Sequence, residues 1–460
     1  MQDRSGKRGY GRLALHRLGV LALGVCAGFA VQAQELAANA SQLRVSGFAT
    51  LGLTYHDNGE AGPISRYSQK ALTGDGVSGN LDTVGGLQLD WRLRDTTTVV
   101  LQAVSRAGEN FDPELRMAYV RQELGQNTAV RVGRIRNPMY FDSDVSEIGY
   151  AYLTARPPIP VYNIVNSVTS LDGADIQFRH SFGLAGVLVH AFYGSNEYDH
   201  QMYNLQPREH AKVDIDDIRG LALSLHLPQV TMRASRTWAH SYRMRSSRID
   251  QLNGGIQQMS GALRMLASQP AVPDFMQGAL SGKADAIAAY HNVYDNKPVY
   301  TSVGFDGNYQ NLRVMGEWVK LDSRSPMVGK YEGYQLTLGY AIGNFTPYVG
   351  YARQDRQDPL LDTRPFDPTG LGGMLPAQFN PDPALAMLQA GLDQAAMYAD
   401  LSSRSVTAGV RWDFRENMAF KLQYDRIQTP GSSTPGSFSV LKLPFDNKVD
   451  LLSATLDIVF

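Results

Sequence analysis

Sixteen stretches of this chain alternate apolar and polar residues, each over about ten positions. Few folds accommodate that pattern, because a strand turns successive side chains to opposite faces while a helix does not. In residues 44–55, RVSGFATLGLTY, one face carries Val45, Ala49, Leu51, Leu53 and Tyr55. The other carries Arg44, Ser46, Thr50 and Thr54. The alternation returns at 84–93, 96–105, 113–122, 127–135, 173–181, 185–194, 217–226 and 229–239. It continues at 298–309, 311–321, 331–342, 345–354, 403–414, 418–427 and 448–460.

The connections sort by length. Every second one is a tight turn, such as Arg94-Asp95, Phe182-Gly183, Gly343-Asn344 or Arg415-Glu416-Asn417. The others, 56–83, 106–112, 136–172, 195–216, 240–297, 322–330, 355–402 and 428–447, are mostly long. One end of the sheet is therefore all turns and the other all loops. An even strand count with this asymmetry predicts an all-β fold, a 16-stranded antiparallel transmembrane β-barrel with short periplasmic turns and long extracellular loops. Soluble sandwiches have shorter strands and no such sorting of their connections. Tyr55, Trp91, Tyr119, Tyr193, Trp238, Trp318, Tyr340, Tyr351, Trp412 and Tyr424 fall towards strand ends, where amphipathic rings mark membrane interfaces.

The start of the chain reads as an export signal. Arg4, Lys7, Arg8, Arg12 and Arg17 precede the apolar run Leu18–Val31 and then Val31-Gln32-Ala33. A basic region, a short apolar region and small residues before a cleavage point make 1–33 a signal peptide. Residues 34–43 follow as a short periplasmic lead-in, and 44–460 form a single barrel domain. The apolar run is too short to span a bilayer as a helix. Cleavage removes the only cysteine, Cys26, and with it any disulfide or thiolate metal site. It also removes five basic residues and one acid, moving the formal charge from −1 to −5, which argues against nucleic acid as a partner.

The connection 136–172 stands out. The stretch Arg134–Tyr162, which leads into it, combines five aromatics with Asp142, Asp144, Glu147 and the rigid run Pro157-Pro158-Ile159-Pro160. Disordered segments lack such aromatic density, so this loop is expected to fold back onto the barrel. If the apolar face meets lipid, then Arg44, Arg92, Arg116, Arg131 and Arg179 face the lumen. Arg44, Arg92 and Arg179 lie near the turn end, whereas Arg116 and Arg131 sit higher. Arg116 and Arg131 are the candidate basic wall of a constriction, opposite the acidic loop residues Asp142, Asp144 and Glu147; such a field sets ion selectivity. The plainer alternative pairs the arginines locally with Asp90, Asp175 or Glu114. Arg134 and Arg136 have the wrong parity for the lumen but could turn inward with the loop.

In order, these elements resemble the Gram-negative general porins. SGFATLGLTY and VGGLQLDWRL look like that family's opening hairpin, and VGRIRNP looks like the strand end before its third loop. The last strand places Leu452, Ala454, Leu456, Ile458 and Phe460 at alternate positions, and Phe460 resembles the assembly signal of outer-membrane barrels. The resemblance implies a homotrimer in the outer membrane of a Gram-negative bacterium, surrounded by lipid and lipopolysaccharide. It also implies insertion by the barrel-assembly machinery through the C-terminal strand. The third loop would fold inward to narrow the pore, and small hydrophilic solutes and ions would diffuse through.

Two loops depart from that pattern. Ile256, Met259, Leu263 and Leu266 fall on one helical face within 240–297. In 355–402, Asp382-Pro383 reads as an N-cap and first-turn proline ahead of Leu385, Leu388, Leu392, Ala395 and Ala399. These helices could cap the mouth, plug the lumen or pack on each other. They keep two alternatives open: a substrate-specific, partly plugged pore, and a barrel serving mainly as adhesin or receptor.

Signs of chemistry are weak. Gly74-Asp75-Gly76-Val77-Ser78-Gly79 has dinucleotide-loop spacing but neither a strand before it nor a helix after it. His200 and His210 read as solvated loop residues rather than metal ligands. His180, His190 and His226 have no evident nucleophile, so no enzyme activity, cofactor or metal is expected.

Overall fold

The computed structural model describes residues 42–70, 76–202, 209–270, 272–369, 380–440 and 443–460. The signal-peptide segment 1–33 and nearly all of the lead-in lie outside the described residues. Sixteen strands form one antiparallel sheet that closes on itself. The first eight are β1 (Leu43–His56), β2 (Val84–Arg94), β3 (Thr97–Arg106), β4 (Glu114–Leu124), β5 (Thr128–Arg136), β6 (Ser170–Phe182), β7 (Ala185–Met202) and β8 (Glu209–His226). Then come β9 (Val230–Trp238, resuming at Ser241–Arg245), β10 (Val299–Tyr309), β11 (Leu312–Asp322) and β12 (Lys330–Tyr340). The last four are β13 (Phe345–Arg356), β14 (Ser403–Arg415), β15 (Met418–Gln428) and β16 (Lys448–Val459). Each strand pairs with its sequence neighbour, and β16 pairs with β1 from Phe48↔Val459 to His56↔Leu451.

Parity decides what each face meets. Leu53, Leu101, Val132, Leu223, Val303, Leu336, Val349 and Leu452 point outward and are exposed, as a lipid-facing surface requires. Thr50, Gln102, Asp175, Ser235, Thr337, Gln423 and Thr455 point inward and are buried. No helix among the described residues is long and apolar enough to cross a membrane. The closing seam is tight: Gly47 and Phe460 exchange backbone hydrogen bonds of 2.9 and 3.0 Å. A Cβ at Gly47 would lie 2.4 Å from the Phe460 ring, so only glycine fits beneath that aromatic.

All sixteen expected strands are present, with two corrections around them. The connection expected over 195–216 is largely a hairpin in which β7 runs to Met202 and β8 starts at Glu209. Above the bilayer neither face of a hairpin meets lipid, so the alternation that marks the other strands is not needed there. A bulge between Ile215 and Ile218, with Asp217 at φ 52°, separates this extension from the barrel wall. Likewise Ser241–Arg245, expected in a loop, pairs with 212–216.

The helices form a cap. α1 is a single buried turn, Ile159–Tyr162, in the third loop. α2 (Ser247–Ala267) and α3 (Asp274–Ala288) occupy the fifth loop, and α4 (Asp382–Tyr398) the seventh. Ser246 caps α2 by accepting a hydrogen bond from the Ile249 amide. The cap of α4 is Pro381 rather than Asp382, and Pro383 sits in the first turn. Ile256, Leu263, Leu280, Ala284, Ile287, Leu385 and Leu392 bury one another in a shared apolar core. The helices thus pack on each other over the mouth. α3 is not legible as amphipathic because four of its fifteen residues are alanine.

The pore constriction as candidate functional site

The third loop, residues 137–169 between β5 and β6, turns into the barrel and crosses it. Its buried side chains, Met139, Tyr140, Val161, Tyr162 and Val165, pack on Tyr300, Val319 and Ala352 of the far wall. Polar fastenings run round the whole circumference. The Phe141 amide and the Tyr162 hydroxyl donate to Glu317 on β11. Arg233 on β9 donates to the carbonyls of Phe141 at 3.3 Å and Pro138 at 3.1 Å. Lys421 on β15 donates to the carbonyls of Gly149 at 2.7 Å and Thr154 at 2.9 Å, and pairs with Asp457 at 3.0 Å. Gly149 lies so close to the wall that a Cβ there would be 2.3 Å from both Thr50 Oγ1 and Asp457 Oδ1.

Arg156, the loop's basic residue, is a buried anchor. Its guanidinium donates to both oxygens of Asp82 at 2.6 Å, to Asp425 at 2.8 Å and to Ser453 Oγ at 2.5 Å. All these groups are buried, and burial of an ion pair is tolerable only when its hydrogen bonds are this complete. Sequence reasoning passed over Arg156, whose one mark is to be the lone cation of an acidic, proline-rich segment.

The three loop acids part company. Glu147 is buried among four arginines: Arg106, Arg66 at 3.4 Å, Arg136 at 3.5 Å and Arg116 at 3.7 Å. Burial disfavours its charge, but Arg106, then Arg66, Arg116 and Arg136 outweigh burial and hold its carboxyl well below the usual carboxylate range. Asp144 pairs with Arg233 at 3.0 Å yet remains 55% exposed to the lumen. Desolvation by the protein that surrounds the lumen raises its pKa, but Arg233 and, further off, His190 and Arg131 bring the net shift downward. Asp142 goes the other way: burial and the neighbouring Glu317 and Asp306 push it up to about 7.

Arg116 and Arg131 both point inward. Arg116 is the extra residue of a bulge, where Gln102↔Met117 is followed by Ala103↔Leu115, and it pairs with Glu114 at 2.9 Å as well as reaching Glu147. Arg131 takes the plainer course: both its Nε and Nη2 donate to Asp175, at 3.0 and 2.5 Å, and Asp175 also contacts His190 at 2.6 Å. Its guanidinium lies over Tyr119, so Tyr119 faces the lumen and not the membrane interface expected for it. Arg136 turns inward to Gln102 and Glu147, while Arg134 stays outside on Asp172 at 2.7 Å. Arg44, Arg92 and Arg179 are exposed near the turn end, with no ion pair among the described residues. Sequence reasoning passed over Arg233, although its parity between Met232 and Ala234 marks it as inward. It also passed over Arg66 and Arg106, which lie beyond the alternating stretches.

His200 is not in a loop but on the β7 extension, stacked on Tyr67 at 4.5 Å, and His210 meets Gln201 at 3.0 Å. Among the described residues, no group of three or more His, Cys, Asp or Glu side chains is arranged to hold a metal. The Gly76–Ser78 part of the glycine-rich stretch pairs with the top of β1, and Gly74 and Asp75 lie outside the described residues.

Comparison with known proteins agrees with this geometry. The barrel is similar to OmpF of Salmonella typhi in complex with daunomycin, at 10% identity and a TM-score of 0.50 over 91% of this chain and 97% of that one. It is also similar to an anion-selective porin from Comamonas acidovorans, at 9% identity and a TM-score of 0.48 over 91% and 99%. OmpT of Vibrio cholerae matches at 9% identity and 0.46 over 92% and 99%. No curated protein matches by sequence. The family model described as Gram-negative porin matches residues 19–432. With a closed sixteen-stranded barrel, a lipid-facing apolar surface and that match across most of its length, the chain belongs to the Gram-negative porin family and is an outer-membrane channel.

Proposed function

We propose that small hydrophilic solutes and ions diffuse through this barrel past Asp144, and that the groups around that carboxylate set the selectivity. The observation that carries the reading is the contrast in exposure: the side chain of Asp144 is 55% exposed and that of Glu147 is 1% exposed. Glu147 and its arginines then fasten the loop, whereas Asp144 meets the solute, and the buried Arg233 and Arg131–Asp175–His190 group act on the solute through their field from behind it. Mutual neutralisation in these pairs means that removal of either partner unmasks the other.

The test is reversal potential in a planar bilayer under a salt gradient. Asp144→Ala leaves Arg233 uncompensated and is expected to move the potential towards anion selectivity; Arg131→Ala leaves Asp175 uncompensated and is expected to move it towards cations. Shifts of the same sign, or none, would sink this assignment of the constriction. A pore restricted to particular solutes is a second reading, favoured by the helical cap. Family membership supports the remaining expectations: export through segment 1–33, a homotrimer, a lipid and lipopolysaccharide surround, catalysis of no reaction, and recognition of the Phe460 strand by the assembly machinery.

A further inference from the structure

Between the third loop and the helical cap lies a cavity of about 630 Å³, a volume within the range of small-molecule sites. Ile164 and Val168 of the loop belong to its floor and Met244 to its wall. Leu252 of α2 with Met387 and Leu388 of α4 belongs to its roof. All six residues keep accessible surface, so the space meets apolar groups on several sides. Exposing such surface to water costs free energy that threonine or serine would avoid.

The shape of α4 is the second observation. Leu385, Leu392 and Ala396 turn to the core of the cap. Met387, Gly391, Gln394 and Tyr398 recur at helical spacing on another side and line the cavity. Met387 is 80% exposed there. One apolar stripe is enough to seat a helix, yet α4 keeps methionine and tyrosine on a second face, over the cavity. Charge narrows the class. No carboxylate belongs to the described lining, Arg248 is already engaged, and burial lowers the pKa of His200 to about 4, which leaves it neutral. A charged or heavily hydroxylated solute would give up hydration there for little return, whereas a compact apolar body packs on methionine and tyrosine.

We propose that this cavity is a binding chamber for small neutral solutes with a compact apolar body, such as cyclic alcohols, taken up beneath the cap before they reach the constriction. The chamber rests on the pore reading for its purpose, since it names a class of solute for that passage.

The experiment uses the mature chain in lipid nanodiscs, with 1-adamantanol as probe, equilibrium dialysis for binding, and conductance in potassium chloride recorded separately. Saturable binding is expected, absent from empty nanodiscs and at least tenfold weaker for myo-inositol (a neutral ring covered in hydroxyls) and for 1-adamantanamine (the same body with a positive charge). A Cβ at Gly391 would meet no atom within 4 Å, so Gly391→Phe fills the chamber from α4 without a clash at its Cβ and should weaken binding at least tenfold. Met387→Asp, which puts a carboxylate on the apolar roof, should weaken it about tenfold, and Met387→Leu should restore it. Met265→Lys, exposed on α2 and outside the lining, should leave it unchanged. Failure of conducting protein to bind 1-adamantanol overturns the chamber and leaves the pore. Binding of myo-inositol or 1-adamantanamine as tight as that of 1-adamantanol overturns the solute class. Binding that ignores both Gly391→Phe and Met387→Asp overturns the location. Binding by folded protein that never conducts leaves the chamber and overturns the pore.

Discussion

At the scale of single residues, three acids on one loop have three different fates, and spacing alone could not have told them apart. Glu147 is swallowed by arginines, Asp144 faces water, and Asp142 has its pKa raised to about 7 by burial first and then by the nearby Glu317 and Asp306. Asp142 therefore titrates within the range in which channels are recorded. Its pKa in the folded protein lies above the ordinary carboxyl value, so the native state holds the proton more tightly than the unfolded one. The stability linked to that proton is present below about pH 4 and is lost as pH rises through about 7. The same step adds one negative charge to the loop. Between pH 6 and 8 the reversal potential is expected to drift towards cation selectivity, and Asp142→Asn to flatten that drift. A drift that survives the substitution would assign the titration to another group.

At the scale of elements, alternation and turn chemistry made the strands legible because lipid imposes the same demand on every one of them. Above the bilayer that demand ends. There the reading failed, at the β7–β8 extension and at Ser241–Arg245, and Tyr119 was misassigned because the bulge at Arg116 resets parity. The inward-folding loop was legible from its aromatic density and prolines. Its anchors were not, since Arg66, Arg106 and Arg156 belong to no periodic stretch. Arg156 carries the most consequence: Arg156→Met leaves Asp82 and Asp425 buried without their cation. Breaking a buried pair in this way costs about 3–5 kcal/mol. Thermal unfolding of the variant should start well below that of the wild type, and protease added to the refolded barrel should cut within 137–169. Unchanged unfolding would mean that the loop is held by its apolar contacts alone.

At the scale of the whole molecule, the chain sends its apolar residues to separate destinations, among them the lipid face, the third loop and the cap. The cap has its own core, so it can be removed without opening the barrel wall. Replacing 247–292 and 359–400 with short polar turns is expected to preserve heat-modifiable barrel mobility and raise single-channel conductance. Unaltered conductance would show that the third loop alone limits flow.

Arg156 has one more consequence, for the barrel as a closed object. A sheet rolled into a cylinder has one join between its ends, here β1 against β16. The groups that Arg156 grips stand on both sides of it: Asp82 and Thr54 belong to the first hairpin, Asp425 and Ser453 to the last. The loop that narrows the passage therefore also acts as a clasp across the join. Parting the first strand from the last means releasing that clasp as well as the ladder of backbone hydrogen bonds, which makes the finished channel harder to unzip sideways than its wall alone would be.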